Sequence, residues 1–366
     1  MNQNYAIGID LGSQNIKIIL VKFSDEKKNL PKIINKMSFP SAGISFGYIN
    51  NKKLLLDALK NALNSFQKIN KIEIQNVFIA IDGFGLKSKI IKISQTFNNK
   101  IEIQESDLIK IQEKSERILK KNNDDKVINY EIINYIIDDY EYLDTPENLQ
   151  AKKIEANIFF LTYPQNNIQN IENVIEKINL EISAYVTAPN ALSDFLLQNI
   201  DKKTGCLLVD YGAEKTSIFF IEKNKPQYFD VFKIGSKKIT ELIAISEEVS
   251  FNEAEKLKIS KIKTSKINQI IKKELTILTD EIKNNFKKNH KEEMLFPGGI
   301  ILTGGGSNIN LIENIFKKEF RLPVKKLENH ILHSGVDYSI AYSITLTKED
   351  YKSKDAVLFN LILKEI

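Results

Sequence analysis

The sequence predicts a two-lobed α/β protein with a small α+β insertion in its first lobe. Three observations carry that prediction. A unit of apolar strand, aspartate, one residue, glycine and return strand at residues 5–23 recurs at residues 205–222, an internal repeat. A further buried run, Gly299-Ile300-Ile301-Leu302, leads straight into Thr303-Gly304-Gly305-Gly306-Ser307. Between the two repeats, residues 85–162 read as alternating stretches around a single helix. The chain has 366 residues, 42% hydrophobic and 27% charged, which is ordinary globular composition and enough length for two or three domains.

The elements follow in order. Tyr5-Ala6-Ile7-Gly8-Ile9-Asp10 is an apolar run ending in a carboxylate, and residues 16–23 are rich in β-branched side chains. Together they predict a hairpin turning at Gly12-Ser13. A third strand is expected near residues 33–37. Residues 54–66 place Leu55, Leu59, Ala62, Leu63 and Phe66 at helical spacing, and residues 77–81 form a buried strand that stops at Asp82-Gly83. In the insertion, residues 87–94, 130–137 and 154–161 alternate, and residues 105–119 are helical with Ser106 or Asp107 as the cap. Helices are expected at 168–178 and 191–198, with a short strand at 184–187. The second repeat then runs from Cys206-Leu207-Leu208-Val209-Asp210 through Tyr211-Gly212-Ala213-Glu214-Lys215-Thr216 into a strand at 217–222. Helices are predicted at 239–244, 252–259, 264–289 and 311–320. The implied division is a first lobe of residues 1–84 with 163–202 and an insertion at 85–162. A second lobe follows at 203–346, with a small helical subdomain at about 245–297, and then a tail at 347–366.

Composition narrows the function. The net charge is +5, but only Arg117 and Arg321 are arginine, and arginine is the residue that reads guanine edges and clamps phosphates bidentately. No nucleic-acid partner is expected. No run of about 18 apolar residues exists, so no spanning helix is predicted. The amino-terminal segment lacks the basic region of a secretory signal. A single cysteine, Cys206, allows no internal disulfide, which suits the cytoplasm, and its apolar strand marks it as an inert core residue. His290, His330 and His333 lack metal-ligand spacing.

The chemistry lies in the glycines. Five of the 15 stand on strand exits: Gly12, Gly212 and the run Gly304-Gly305-Gly306. Glycine lets backbone approach a phosphate closely, and successive N–H groups in such turns make a concave anion site. An aspartate at a strand end holds Mg²⁺ through water, because magnesium needs only one or two carboxylates. Two such hairpins facing each other across a cleft form a two-sided phosphate clamp, with Asp10 and Asp210 as the metal carboxylates. Ser13, Gln14 and Lys17 are donors beside the first turn. Glycines 304–306 would let a base and ribose lie flat on the backbone. Walker-type and dinucleotide GxGxxG signatures are absent.

These residues resemble the phosphate-1, phosphate-2 and adenosine motifs of the actin/Hsp70/sugar-kinase superfamily: Asp10-Leu11-Gly12-Ser13, Asp210-Tyr211-Gly212 and Leu302-Thr303-Gly304-Gly305-Gly306. Glu253-Ala254-Glu255-Lys256-Leu257-Lys258 is similar to the AExxK element of its bacterial members. Within that superfamily the chain resembles the FtsA family of bacterial cell-division proteins. Pro40-Ser41-Ala42-Gly43-Ile44-Ser45-Phe46-Gly47-Tyr48-Ile49 is similar to the family's PSxGIxxGxI stretch. Residues 101–107, Tyr135-Ile136-Ile137-Asp138 with Pro146-Glu147-Asn148-Leu149, and residues 232–244 resemble further family segments.

The resemblance implies an actin-like (ribonuclease H-like) fold that binds ATP and Mg²⁺. Its cofactor-binding residues would be Asp10, Gly12, Ser13, Gln14, Lys17, Asp210, Gly212, Ala213, Lys215, Thr216, Gly235, Glu255, Lys258, Gly304, Gly305, Gly306 and Ser307. It implies partners as well: the FtsZ C-terminal tail, further copies of the chain in actin-like filaments, and the inner face of the cytoplasmic membrane at the division site. Where the family has GGGTTD, this chain has Gly212-Ala213-Glu214-Lys215-Thr216-Ser217, so at most slow ATP turnover is expected. The span between Lys258 and Gly299 lacks the strand-like runs of the subdomain that docks FtsZ. Lys256, Lys258, Lys261, Lys263 and Lys266 there form either a face for an acidic tail or a solvated surface. At the carboxyl end, Val357, Leu358, Phe359, Leu361 and Ile362 give an amphipathic segment suited to a membrane interface or to docking on the body, after a tether at about 347–354. The alternatives are a PilM-like component of type IV pilus assembly and a sugar-kinase-type enzyme.

Overall fold

Two five-stranded sheets of the same layout organise the molecule. The computed structural model describes residues 4–24, 30–121, 125–260, 264–289, 295–326 and 337–350. In the first sheet, β1 (Tyr5–Leu11) and β2 (Asn15–Lys22) form the predicted hairpin, with Asp10 opposite Lys17 in the ladder. β3 (Lys32–Pro40) continues antiparallel beside β2. Two short strands, β4 (Ile44–Ser45) and β5 (Tyr48–Ile49), make a separate ribbon. α1 (Lys52–Asn70) starts at Asn51, whose side chain accepts from Leu54 N, and it buries the expected stripe of Leu55, Leu59, Ala62, Leu63 and Phe66. β6 (Asn76–Ile81) then lies parallel to β1.

The insertion follows: β7 (Lys87–Glu102), α2 (Glu105–Lys121), β8 (Asp125–Ile137), β9 (Tyr140–Tyr142) and β10 (Gln150–Pro164), in the order β7-β10-β8-β9. It has its own core, including Ile103, Ile111, Ile154, Ile158 and Phe160. Ser106 and Asp107 are not the cap of α2 but lie in its first turn. Asp107 Oδ2 instead accepts from Gln104 N at 3.2 Å, the return half of a capping box. The chain re-enters the first lobe through α3 (Gln165–Glu176), β11 (Glu181–Thr187), α4 (Ala188–Leu196) and α5 (Asn199–Thr204), giving the sheet order β11-β6-β1-β2-β3.

The second half repeats this plan with β12 (Cys206–Tyr211), β13 (Thr216–Glu222), β14 (Lys225–Phe232), α6 (Lys237–Glu247), α7 (Phe251–Ile259), α8 (Ser265–Lys288), β15 (Gly299–Thr303), α9 (Ile312–Phe320) and β16 (Val324–Lys326). Its order, β14-β13-β12-β15-β16, mirrors β3-β2-β1-β6-β11 strand for strand and direction for direction. The two faces of β12 split its side chains. Leu207, Val209 and Tyr211 join a core with Ile239, Ile271, Leu275 and Phe316, whereas Cys206 and Leu208 join the core of the first lobe. Burial pushes the Cys206 thiol up to about 12, so it stays protonated.

One helix corrects the division drawn from sequence order. α10 (Ser339–Asp350) falls largely in the span given to the second lobe, yet it packs on the first. Ala341, Tyr342 and Ile344 are fully buried there, and Tyr342 Oη donates to Pro31 O at 2.9 Å. Glycine at position 8 permits this, since a Cβ there would stand 2.0 Å from Ala341 O. The expected tether at 347–354 therefore begins as helix. Residues 351–366, including Val357, Leu358, Phe359, Leu361 and Ile362, lie outside the described residues, as do His290, His330, His333, Lys261 and Lys263.

Candidate functional site

The two hairpin turns meet across one cavity of about 270 Å³. Asp10, Gly12, Ser13, Gln14 and Lys17 line it from the first lobe, and Asp210, Gly212, Ala213 and Lys215 from the second. Glu255 on α7 and Gly304, Gly305 and Gly306 after β15 complete the wall. The repeat makes this arrangement: Asp10 and Asp210 are each the penultimate residue of the central strand of their sheet.

The three consecutive glycines have different reasons to be glycine. Gly304 has φ of +84°, and a Cβ on it would stand 2.3 Å from Asp210 Oδ1. A Cβ on Gly306 would stand 2.5 Å from the Tyr211 ring. Both are required by packing. Gly305 faces open space, with no heavy atom within 4 Å of its Cβ position and no left-handed backbone to demand it. The fold does not need that glycine, and without a side chain there the cavity wall is left open.

Charge is concentrated on the floor. Lys17 Nζ bonds Asp10 Oδ2 at 3.0 Å, and Lys215 Nζ bonds Asp82 Oδ2 from across the cleft. Burial pulls the Lys17 ammonium down, but Asp10, Asp337 and Asp210 outweigh it and hold the group above the usual lysine value. Lys215 is raised for the same reason, burial being overcome by Asp82, Asp210 and Asp10. Asp210 shows the opposite balance: burial, against the pull of Lys215 and with the added repulsion of Asp82 and Asp337, pushes it up to about 7. Among the described residues no three histidine, cysteine or acidic side chains cluster as a metal cage.

Glu214, the departure from the family pattern, does not line the cavity. Its Oε2 accepts from Ser45 Oγ and from Phe46 N, both at 3.1 Å, and its Oε1 pairs with Lys237 at 2.9 Å. The second turn is thereby bonded to the β4–β5 ribbon of the first lobe.

Four expected ligand residues do not line the cavity. Thr216 is buried and donates to Ile234 O at 2.6 Å. Ser307 donates to Gly304 O at 2.7 Å. Gly235 lies behind the second turn, where a Cβ would meet Ala213 O at 2.2 Å, and it admits that turn rather than a ligand. Lys258 is 1% exposed and bonds Glu255 and Thr240, so it orients Glu255 and takes no part in a lysine face. Of the other described lysines in that proposed face, Lys256 and Lys266 are exposed.

Two lining aspartates escape the sequence reading. Asp82 follows β6 and reads there only as a strand stop. Asp337 accepts from Gly304 N at 2.7 Å and Ser339 N at 2.8 Å, tying the triglycine bend to the start of α10. The Asp-x-Ser spacing ahead of α10 is the one local signal that marks it.

Against known proteins, the sequence profile described as "Cell division protein FtsA" matches residues 207–343. FtsA of Borreliella burgdorferi is 23% identical over 385 aligned positions, covering 96% of this chain and 92% of the relative. FtsA of Pseudomonas aeruginosa is 21% identical, covering 91% and 83%.

The chain is similar to FtsA proteins.

FtsA relatives thus align along nearly the whole chain, beyond the segment that the profile matches. Solved structures give the fold. The PilM–PilN type IV pilus biogenesis complex matches with a TM-score of 0.70 at 16% identity, covering 94% of this chain and 98% of that one. MreB5 of Spiroplasma citri bound to AMPPNP matches at 0.56 and 12%, covering 96% and 98%. The fold of this chain is actin-like, as its motifs led one to expect.

Proposed function

We infer that the chain is an ATP-binding, actin-like protein of bacterial cell division. Gly305 is the observation that carries the nucleotide part: it is free of packing demands and forms the wall of the cavity between the two hairpins. The structurally similar MreB5 was solved with AMPPNP and with ADP. In this chain the turns at Gly12–Gln14 and Gly212–Ala213 would face the phosphates, Lys17 and Lys215 would supply positive charge, and Glu255 would lie toward the ribose. Asp10 and Asp210 are the carboxylates that would hold Mg²⁺ through water, a count that suits magnesium. Bound there, the ion would neutralise phosphate charge. Ligand spanning both lobes favours the closed arrangement by linkage and raises stability. ATP therefore raises the melting temperature in a dose-dependent way, whereas AMP does so weakly. No shift with millimolar ATP, with or without Mg²⁺, would refute nucleotide binding.

The cellular part of the reading rests on the similarity to FtsA. The protein works at the inner face of the membrane, joins the FtsZ tail and self-associates into filaments. Among the described residues no helix is long and apolar enough to cross a membrane. Attachment would fall to residues 353–366, whose sequence holds Val357, Leu358, Phe359, Leu361 and Ile362. Burying several of their apolar side chains at about 1.5–3 kcal/mol each gives useful interfacial affinity. Liposome flotation with and without residues 353–366 tests this; equal partition of the two forms removes the membrane role.

A further inference from the structure

Lys215 and Asp82 belong to opposite lobes and meet on the floor of the cavity. Their side chains are 14% and 9% exposed. The second oxygen of Asp82, Oδ1, is buried without a hydrogen-bond partner. A carboxylate in that position does two things to an incoming phosphate. It repels it, and it occupies the ammonium that the phosphate would use. The pair is not what positions the turn, because the neighbouring Glu214 already bonds that turn to Ser45 and Phe46.

We propose that Asp82 is an internal counter-ion that a polyphosphate must displace from Lys215, so that Asp82 sets the affinity of the cleft and favours polyphosphates over monophosphates. The proposal rests on the nucleotide reading above. The exchange replaces one ion pair with another across the same lysine. A ligand of high negative charge wins that exchange, whereas a monophosphate competes poorly with a carboxylate already in place. Removing the Asp82 charge leaves Lys215 buried without its ion-pair partner and with only Asp210 and Asp10 to offset it, a state that binds anions more readily. It also lowers stability in the absence of ligand.

The test titrates ATP and AMP into the full chain, comparing wild type with Asp82→Asn, Asp82→Ser and Lys215→Met. Asp82→Asn and Asp82→Ser should tighten ATP by about fivefold or more and move AMP less, while Lys215→Met should weaken ATP by at least as much. Melting curves supply a second readout. The Asp82 variants melt below wild type without ligand, and that gap narrows in saturating ATP, because the ligand has already broken the pair in wild type. A purely structural Asp82 would leave the gap unchanged. If wild type binds ATP but both folded Asp82 variants bind it equally or more weakly, the proposal is overturned and the nucleotide reading stands. If neither wild type nor any Asp82 variant binds ATP, both fall together.

Discussion

Glu214 accepts a hydrogen bond from the backbone of Phe46, 168 residues earlier in the chain. That bond, with the one from Ser45, fastens the second turn to the other lobe, while Lys237 of the same lobe pairs with the other carboxylate oxygen. It gives a role to a residue that departs from the family pattern.

Glu214→Ala removes a carboxylate whose side chain is 13% exposed and whose partners include a backbone N–H. Bonds of this kind contribute about 1–3 kcal/mol, so urea denaturation should show a loss of that order. Burial opposes ionisation of Glu214, but the Lys237, Phe46 and Ser45 bonds prevail and hold its carboxyl below the usual range. The contribution is therefore complete above pH 4.5, its ordinary value, and disappears as pH falls through the lowered one. The wild-type advantage over the alanine variant should shrink on acidification.

Ile344 tests the placement of α10. It is fully buried in the first-lobe core, and Ile344→Ala should destabilise the protein by about 2–5 kcal/mol. A surface helix at the chain end would tolerate the change within about 0.5 kcal/mol. Chemical denaturation followed by circular dichroism distinguishes the two.

Asp210 should make stability fall with rising pH over a defined window. Its carboxyl is held at about 7 against an ordinary 3.8, so between those values the folded chain binds more protons than the unfolded one. Stability from this group therefore declines as pH climbs from about 4 to about 7 and is flat above. Asp210→Asn has no such proton to lose, and relative to wild type it should gain more at pH 8 than at pH 5. An identical gap at both pH values would contradict the assignment.

The site was legible where chemistry repeats in sequence. Asp10-x-Gly12 and Asp210-x-Gly212 announce themselves because strand, carboxylate and glycine must be contiguous to make each turn. The triglycine bend is legible for the same reason. Asp82 and Asp337 were not, since each is a lone carboxylate whose role arises only when tertiary packing brings β6 and α10 to the cleft. β14 also escaped, because Pro226 and Asp230 interrupt its apolar run; as an edge strand it tolerates both. α10 was missed as an element and misassigned by lobe, because chain order gives no hint that the end of the second half returns to cover β1. Lys258 and Thr216 carried the right motif for a ligand, but the fold turns them inward, where Lys258 braces Glu255 and Thr216 bonds Ile234 O.

The proposed nucleotide would lie against Gly305 in the cleft between Asp10 and Asp210. Equilibrium titration of ATP into wild type and Gly305→Val tests this most directly, because a Cβ there enters open cavity with no protein atom within 4 Å. The expected result is an unchanged melting temperature without ligand and a loss of ATP affinity of at least about tenfold, or about 1.4 kcal/mol. Equal ATP affinity in the two proteins, with the variant folded, would contradict it.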